Sequence, residues 1–379
     1  MSEGDKRQRS PGRKRAIKAI QILVSLGVVA AVFLYALPKI ADYSTVWATI
    51  SKLTVSQFLI LLGITFFNIF TYWPQMVASL PGLTIPQAAV VNQTSTTVAN
   101  TVPAGGIVAI GLTYDIFRSW GFTYSAITLS ELLTFVWNTF TKLGLPIVAL
   151  AILAIEGKGS VGLLTAALIG LALLAGAVLV FGLVLWKKEL ARRIGGRIGA
   201  MVSRVRKLFH KPPVTNGGDV AVRFRHRSIE VIARRWLALT LSTIVSHLGL
   251  YLVLLVSLRY VGVFERELSW ADVLGVFAFV RLLSALPLTP GGLGIVELGY
   301  IGGLYILGRH HADVGLVAFK AQVAAGVLLF RALTYGLQIP LGGITYVIWK
   351  MKKSWLKAPP AEEPAEPVAL IAPGIAAAP

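Results

Sequence analysis

Residues 286–297 read Leu286-Pro287-Leu288-Thr289-Pro290-Gly291-Gly292-Leu293-Gly294-Ile295-Val296-Glu297, and they interrupt an apolar stretch that runs from residue 270 to 308. A helix needs roughly 20 apolar residues to cross a hydrocarbon core of ~30 Å. Neither side of this break is that long. Free N–H and C=O groups at membrane depth must find partners in protein or in a wet cavity. Short helices around a Pro/Gly break therefore imply a buried broken helix or a re-entrant hairpin rather than a plain crossing. A second such stretch, 86–118, is broken by Pro103-Ala104-Gly105-Gly106.

The composition around these breaks is that of a membrane protein. Of 379 residues 55% are hydrophobic and 14% charged, with a mean hydropathy of +0.72, against about 25% charged in soluble chains. Full crossings are expected at 17–37, 56–80, 122–155, 160–186, 236–260 and 312–350. The absence of cysteine excludes disulfides and thiolate chemistry. The five histidines include no His-x-x-x-His pairing, so neither a metal nor any other cofactor is expected.

The net charge of +19 acquires its meaning from position. Of 36 Lys and Arg, seven precede residue 19, fourteen lie from Lys187 to Arg235 and four from Lys350 to Lys357. Blocks of this kind resist translocation and mark cytoplasmic segments. They hold no interleaved aromatic platform on which bases would stack, so nucleic acid is not an expected partner. The chain divides into a basic cytoplasmic N-terminus (1–16), a first membrane half (17–186), a basic cytoplasmic linker (187–235), a second membrane half (236–350) and a Pro/Ala-rich cytoplasmic tail (351–379) expected to be disordered. Within the linker, Ile194, Ile198, Met201, Val205 and Leu208 among arginines suggest an amphipathic helix on the inner surface, and 211–218 a hinge. No small-residue cleavage site follows the apolar run from Ile17, which favours an uncleaved first helix.

An internal repeat organises the two halves. Gly105-Gly106 and Gly291-Gly292 lie 186 residues apart, each in a broken stretch that follows one span and precedes a long one. The long spans correspond too: Glu131 and Lys142 in the first, Lys320 and Arg331 in the second, are each 11 residues apart. Eleven residues are about three helical turns, so each pair shares a face, roughly 16 Å apart along the axis. Parity of the crossings gives the halves opposite orientation, as in transporters with facing broken helices. The expected fold is all-α: a polytopic membrane protein with two inverted repeats, each containing a broken or re-entrant helix pair.

The 286–297 stretch, with Asn100-Thr101-Val102-Pro103-Ala104-Gly105-Gly106, resembles the lysylphosphatidylglycerol synthase transmembrane-region family. This is the flippase-like membrane domain that also forms the N-terminal part of the multiple peptide resistance factor. The resemblance covers roughly residues 17–350 and implies movement of a lipid between leaflets. No soluble aminoacyl-transferase domain is read after residue 350, so lipid synthesis is not implied and the chain is not expected to be an enzyme. Where the family often has Arg and Glu after the first proline, this chain has Ala104, Gly105 and Gly106.

Charged residues in the spans are the candidate substrate-binding groups, since a charge at the bilayer centre costs about 2.5–3.5 kcal/mol even on the mildest scale. They are Arg281, Glu297, Lys320, Arg331, Glu131 and Lys142, with Pro103, Gly105, Gly106, Pro290, Gly291 and Gly292 forming the breaks. Arg281 suits a lipid phosphate, which a guanidinium grips with two parallel bonds. Glu297 then neutralises Arg281 in the empty site or meets a cationic headgroup; alternatively the two form a permanent salt bridge that fixes the hairpin. The stripes on the long spans admit a second account, in which residues near helix ends snorkel to headgroups. Two functions follow: a flippase-like translocator of a phospholipid or lipid-linked substrate, with membrane lipids of anionic headgroup as partners, or a membrane scaffold within a complex of envelope-biosynthesis proteins.

Overall fold

The computed structural model describes residues 43–102, 105–158, 161–208, 216–284 and 292–357, and every regular element among them is helical. The crossing expected at 17–37, the residues Pro103, Pro290 and Gly291, and the tail beyond 357 lie outside the described residues. The elements are α1 (Tyr43–Ile50), α2 (Val55–Ser79), α3 (Ile85–Thr101), α4 (Gly105–Ser119), α5 (Tyr124–Ile155), α6 (Val161–Trp186), α7 (Lys188–Leu208), α8 (Gly217–Tyr260), α9 (Trp270–Leu283), α10 (Ile295–Gly308), α11 (Leu316–Arg331) and α12 (Gln338–Met351). A π-helical turn, Ala332–Gly336, joins the last two. Among the described residues, α2, α5, α6, α8 and the continuous 316–351 segment are long and apolar enough to cross a membrane.

Local sequence sets the helix starts. Thr54 accepts from the Gln57 N–H while the Gln57 side chain accepts from the Thr54 N–H, which opens α2 with reciprocal caps. Ser269 and Asp272 do the same for α9. Both broken stretches become helix pairs, α3 with α4 and α9 with α10.

α8 begins at Gly217, not near Trp236, so Gly217 and Gly218 start a helix where a hinge was expected. The reason is tertiary: α7 runs along this extension, with Gly217 so close to Gly195 that a Cβ would lie 2.6 Å from its carbonyl oxygen. Arg192 pairs with Asp219 at 3.2 Å across the same seam. α7 therefore packs one face on protein, with Ile198 and Met201 exposed on another.

At the centre α2 packs along α8 through buried polar groups: the Asn68 amide donates to the Ser246 carbonyl (2.8 Å) and Gln75 to the Thr243 hydroxyl (2.7 Å). Between apolar helices such bonds hold the pair together, because lipid offers no competing partner. Around this pair α3 lies on α12 and α9 lies on α5, while α11 packs on α8 and α10. Phe277, Tyr300, Phe319 and Phe330 fill the larger apolar core, and Ile116, Phe117 and Trp120 a second one near α4. The most apolar window of α6 has no buried residue, which fits a helix that faces lipid all round.

Candidate functional site

The site is assembled at the start of α10. Gly292 and Gly294 have φ of 70° and 87°, backbone conformations that a side chain resists, and they turn the chain into α10. This places Glu297 in the first helical turn, fully buried. One carboxylate oxygen accepts the Gly294 N–H at 2.6 Å, and the other accepts Arg331 Nε at 2.6 Å. Sequence reading set Glu297 against Arg281; the structure pairs it with Arg331, because α10 packs on α11 and delivers Arg331 to it from 34 residues away.

Arg331 ends α11 directly before the π turn. Its guanidinium also lies over the Tyr335 ring, 4.7 Å from the centroid, and the Tyr335 hydroxyl donates to the Asn100 carbonyl at 2.5 Å. That bond ties the end of α3 to the turn. Two positions on α3 take a different role: Thr97 donates to the Gln338 carbonyl (2.8 Å) and Thr94 bonds Thr345 (2.9 Å), so the polar run at 92–97 binds α12 on one face. Thr96 and Asn100, on the other face, meet a cavity.

This cavity has a volume of about 270 Å³. Its charged lining is Lys142 from α5, Arg281 from the last turn of α9 and Arg331. Tyr72, Ser284, Tyr335 and Gln338 add hydroxyl and amide groups. Arg281 Nε is buried with no hydrogen-bond partner among the described residues. Lys142 and Arg281 stand close enough to repel each other. Both also act on His247, which is buried on α8; its Nδ1 faces the Thr243 carbonyl of its own helix at 3.0 Å, and its Nε2 has no partner among the described residues.

Among the described residues, then, three of the six candidates line one cavity and Glu297 braces it from behind. The other two stand apart. Lys320 sits 5.6 Å from the Tyr305 ring centroid and is not among the lining residues, which divides the stripe expected with Arg331. Glu131, near the Tyr114 hydroxyl, is also outside the lining. Of the break residues, Gly292 lines the cavity, and Gly105 starts α4 where a Cβ would meet the Val98 and Ala99 carbonyl oxygens at 2.5 Å. Gly106 has open space around it. Sequence reading missed Tyr72 and Tyr335, and it had Pro146, in the interior of α5, in plain view without using it.

No cluster of three or more His, Asp or Glu able to hold a metal ion occurs among the described residues. No curated protein matches the chain. The lysylphosphatidylglycerol synthase TM region family matches residues 20–342, which takes in both broken helix pairs and every lining residue of the cavity, and the chain belongs to that family of membrane domains.

Proposed function

We propose that this membrane protein is a flippase-like translocator whose cavity takes the anionic headgroup of a phospholipid or lipid-linked substrate. One observation carries the proposal: Lys142 and Arg281 line the cavity on apolar helices without a carboxylate partner among the described residues. An intramembrane charge kept only for structure is paired, as Arg331 is with Glu297. Unpaired cations at such a depth cost several kcal/mol unless a wet cavity or a ligand meets them.

The inverted-repeat reading supports alternating access. Thr96 and Arg281 each lie 11 residues beyond the start of their helices, at Ile85 and Trp270, and both line the cavity. Lys142 and Arg331 are the corresponding residues of the long spans. The packing of α3 on α12 has its counterpart in α9 on α5. Each of these cations precedes a helix irregularity: Pro146 has no N–H for the Lys142 carbonyl, and the π turn follows Arg331. On this reading the two irregularities are the hinges about which the broken pairs open in turn. The N-terminus, the 187–235 linker and the tail are then cytoplasmic. Single cysteines at Thr215 and Pro364 should resist a membrane-impermeant thiol reagent in intact cells, while one at Gly157 should react.

The test is a leaflet-resolved lipid assay in reconstituted vesicles, run beside thermal unfolding on the same purified variants. Arg281→Gln should abolish lipid movement with unfolding nearly unchanged, and Arg281→Lys should recover only part, since an ammonium lacks the two-pronged fork. Stability loss that tracks activity loss in every variant would leave the scaffold account ahead.

A further inference from the structure

We infer that the headgroup taken by this cavity is a dianionic, amine-free phosphate, a phosphomonoester or diphosphate, and that an aminoacylated headgroup is excluded; the inference rests on the cavity being the translocation site. The charges decide it. Among the described residues no carboxylate lines the cavity, and Glu297, which braces it through Arg331, has neither oxygen available: one accepts the Gly294 N–H and the other Arg331 Nε, each at 2.6 Å. The segment 285–291, which connects two lining residues, reads Ala-Leu-Pro-Leu-Thr-Pro-Gly and has no ionisable side chain to contribute. Two cations therefore remain, Lys142 and Arg281, with Ser284, Thr96 and Gln338 as neutral neighbours.

A lysyl headgroup brings two ammonium groups and one phosphate. Its amines would meet two cations and, among the described residues, no free carboxylate, a like-charge arrangement that low dielectric makes severe. A phosphodiester of single charge neutralises one cation and leaves the other stranded. A phosphomonoester or diphosphate neutralises both, with Arg281 offering its paired donors and Lys142 a point charge. The neighbouring cations also favour full ionisation of such a group.

The experiment measures binding by the full chain in phosphatidylcholine nanodiscs, with dioctanoyl phosphatidate, dioctanoyl phosphatidylglycerol, lysylphosphatidylglycerol and inorganic pyrophosphate as probes. Phosphatidate should bind more tightly than phosphatidylglycerol by about tenfold or more, and lysylphosphatidylglycerol should not compete. Competition by pyrophosphate alone at the same concentration would assign the site to a free phosphate instead of a lipid and overturn the headgroup assignment. Lys142→Gln should bring the two anionic lipids within about threefold of each other, because one cation then suffices. Ser284→Glu, which adds the missing carboxylate, should admit the lysyl lipid. Lysylphosphatidylglycerol binding to the native chain as tightly as phosphatidate, or no lipid binding at all, would overturn the inference. Phosphatidate bound but not moved would sink translocation and leave the headgroup assignment standing; lysylphosphatidylglycerol bound and moved would do the reverse.

Discussion

The two broken helix pairs differ where they meet the cavity. In α9 and α10 the lining and its brace are charged, Arg281 and Glu297; the lining that α3 supplies, Thr96 and Asn100, is neutral. One helix of each pair packs on the opposite half's long segment, α3 on α12 and α9 on α5. On the proposed repeat, the chemistry resides in the departures from symmetry. A second contrast lies within the charges: Arg331 is held by Glu297, whereas Lys142, which lines the same cavity, has no such carboxylate among the described residues.

The largest expected effect sharpens that second contrast. Glu297→Gln leaves Arg331 buried beside a neutral amide, and removing one partner of a buried pair costs about 3–5 kcal/mol. Lys142→Gln removes a charge with nothing to strand and should leave the unfolding temperature unchanged or higher while lipid movement falls. Thermal unfolding in detergent checks both; equal losses would show that Lys142 is also structural. Adding Arg331→Gln to Glu297→Gln should restore part of the lost stability, since the two side chains act as one unit.

Next in size is a pair of adjacent glycines in the first break. At Gly105 a methyl group would meet two carbonyl oxygens at 2.5 Å, while at Gly106 it meets nothing within 4 Å. Gly105→Ala should cost about 1–3 kcal/mol through overpacking, and Gly106→Ala nothing, or a gain of up to about 1 kcal/mol from helix propensity. Equal tolerance would mean that α3 and α4 are not held at this close approach.

The smallest effect concerns a tie between the halves outside the spans. Lys158, in the loop after α5, bonds Asp272 of α9 at 2.7 Å and lies 3.5 Å from Glu156. Burial is the largest single influence and lowers its pKa, but the hydrogen bond and charge of Asp272, then those of Glu156, together outweigh it and hold the pKa above the ordinary 10.5. The pair's stabilisation is fully present below pH 10.5 and disappears as pH rises through the elevated pKa. Lys158 is 43% exposed, so the contribution is under about 1 kcal/mol. The unfolding temperatures of native chain and Lys158→Met should differ by a constant small amount from pH 7 to pH 9 and converge above pH 11; a gap that persists there would place the effect in packing.

Among the described residues the spans were legible because apolar runs of crossing length have few other uses, and the breaks because Pro and Gly interrupt them. What stayed hidden was tertiary. The 217–235 segment reads as a charged linker, yet it is helical because α7 lies against it through Gly195 and Gly217. α1 falls between the crossings expected at 17–37 and 56–80 and was not anticipated; it packs on α11. The candidate cations were visible as charges in apolar sequence, but which of them owns Glu297 depends on how α10 meets α11, and no local pattern encodes that. The π turn carries no signature in Ala332-Leu333-Thr334-Tyr335-Gly336.

That turn constrains how the chain can change over time. Upstream of it, Phe319, Val323 and Phe330 face the core, and downstream Gly342 and Thr345 face α3, with Gly342 so close that a methyl group would lie 2.5 Å from the Gln93 carbonyl oxygen. One residue advances an α-helix by about 100°, and the wider turn resets that phase between the two neighbours. A single-residue deletion or insertion between 332 and 336 would swing α12 by about a quarter turn and carry Gly342 off α3. Substitutions there touch one side chain each, so the length of this turn is held more tightly than its composition.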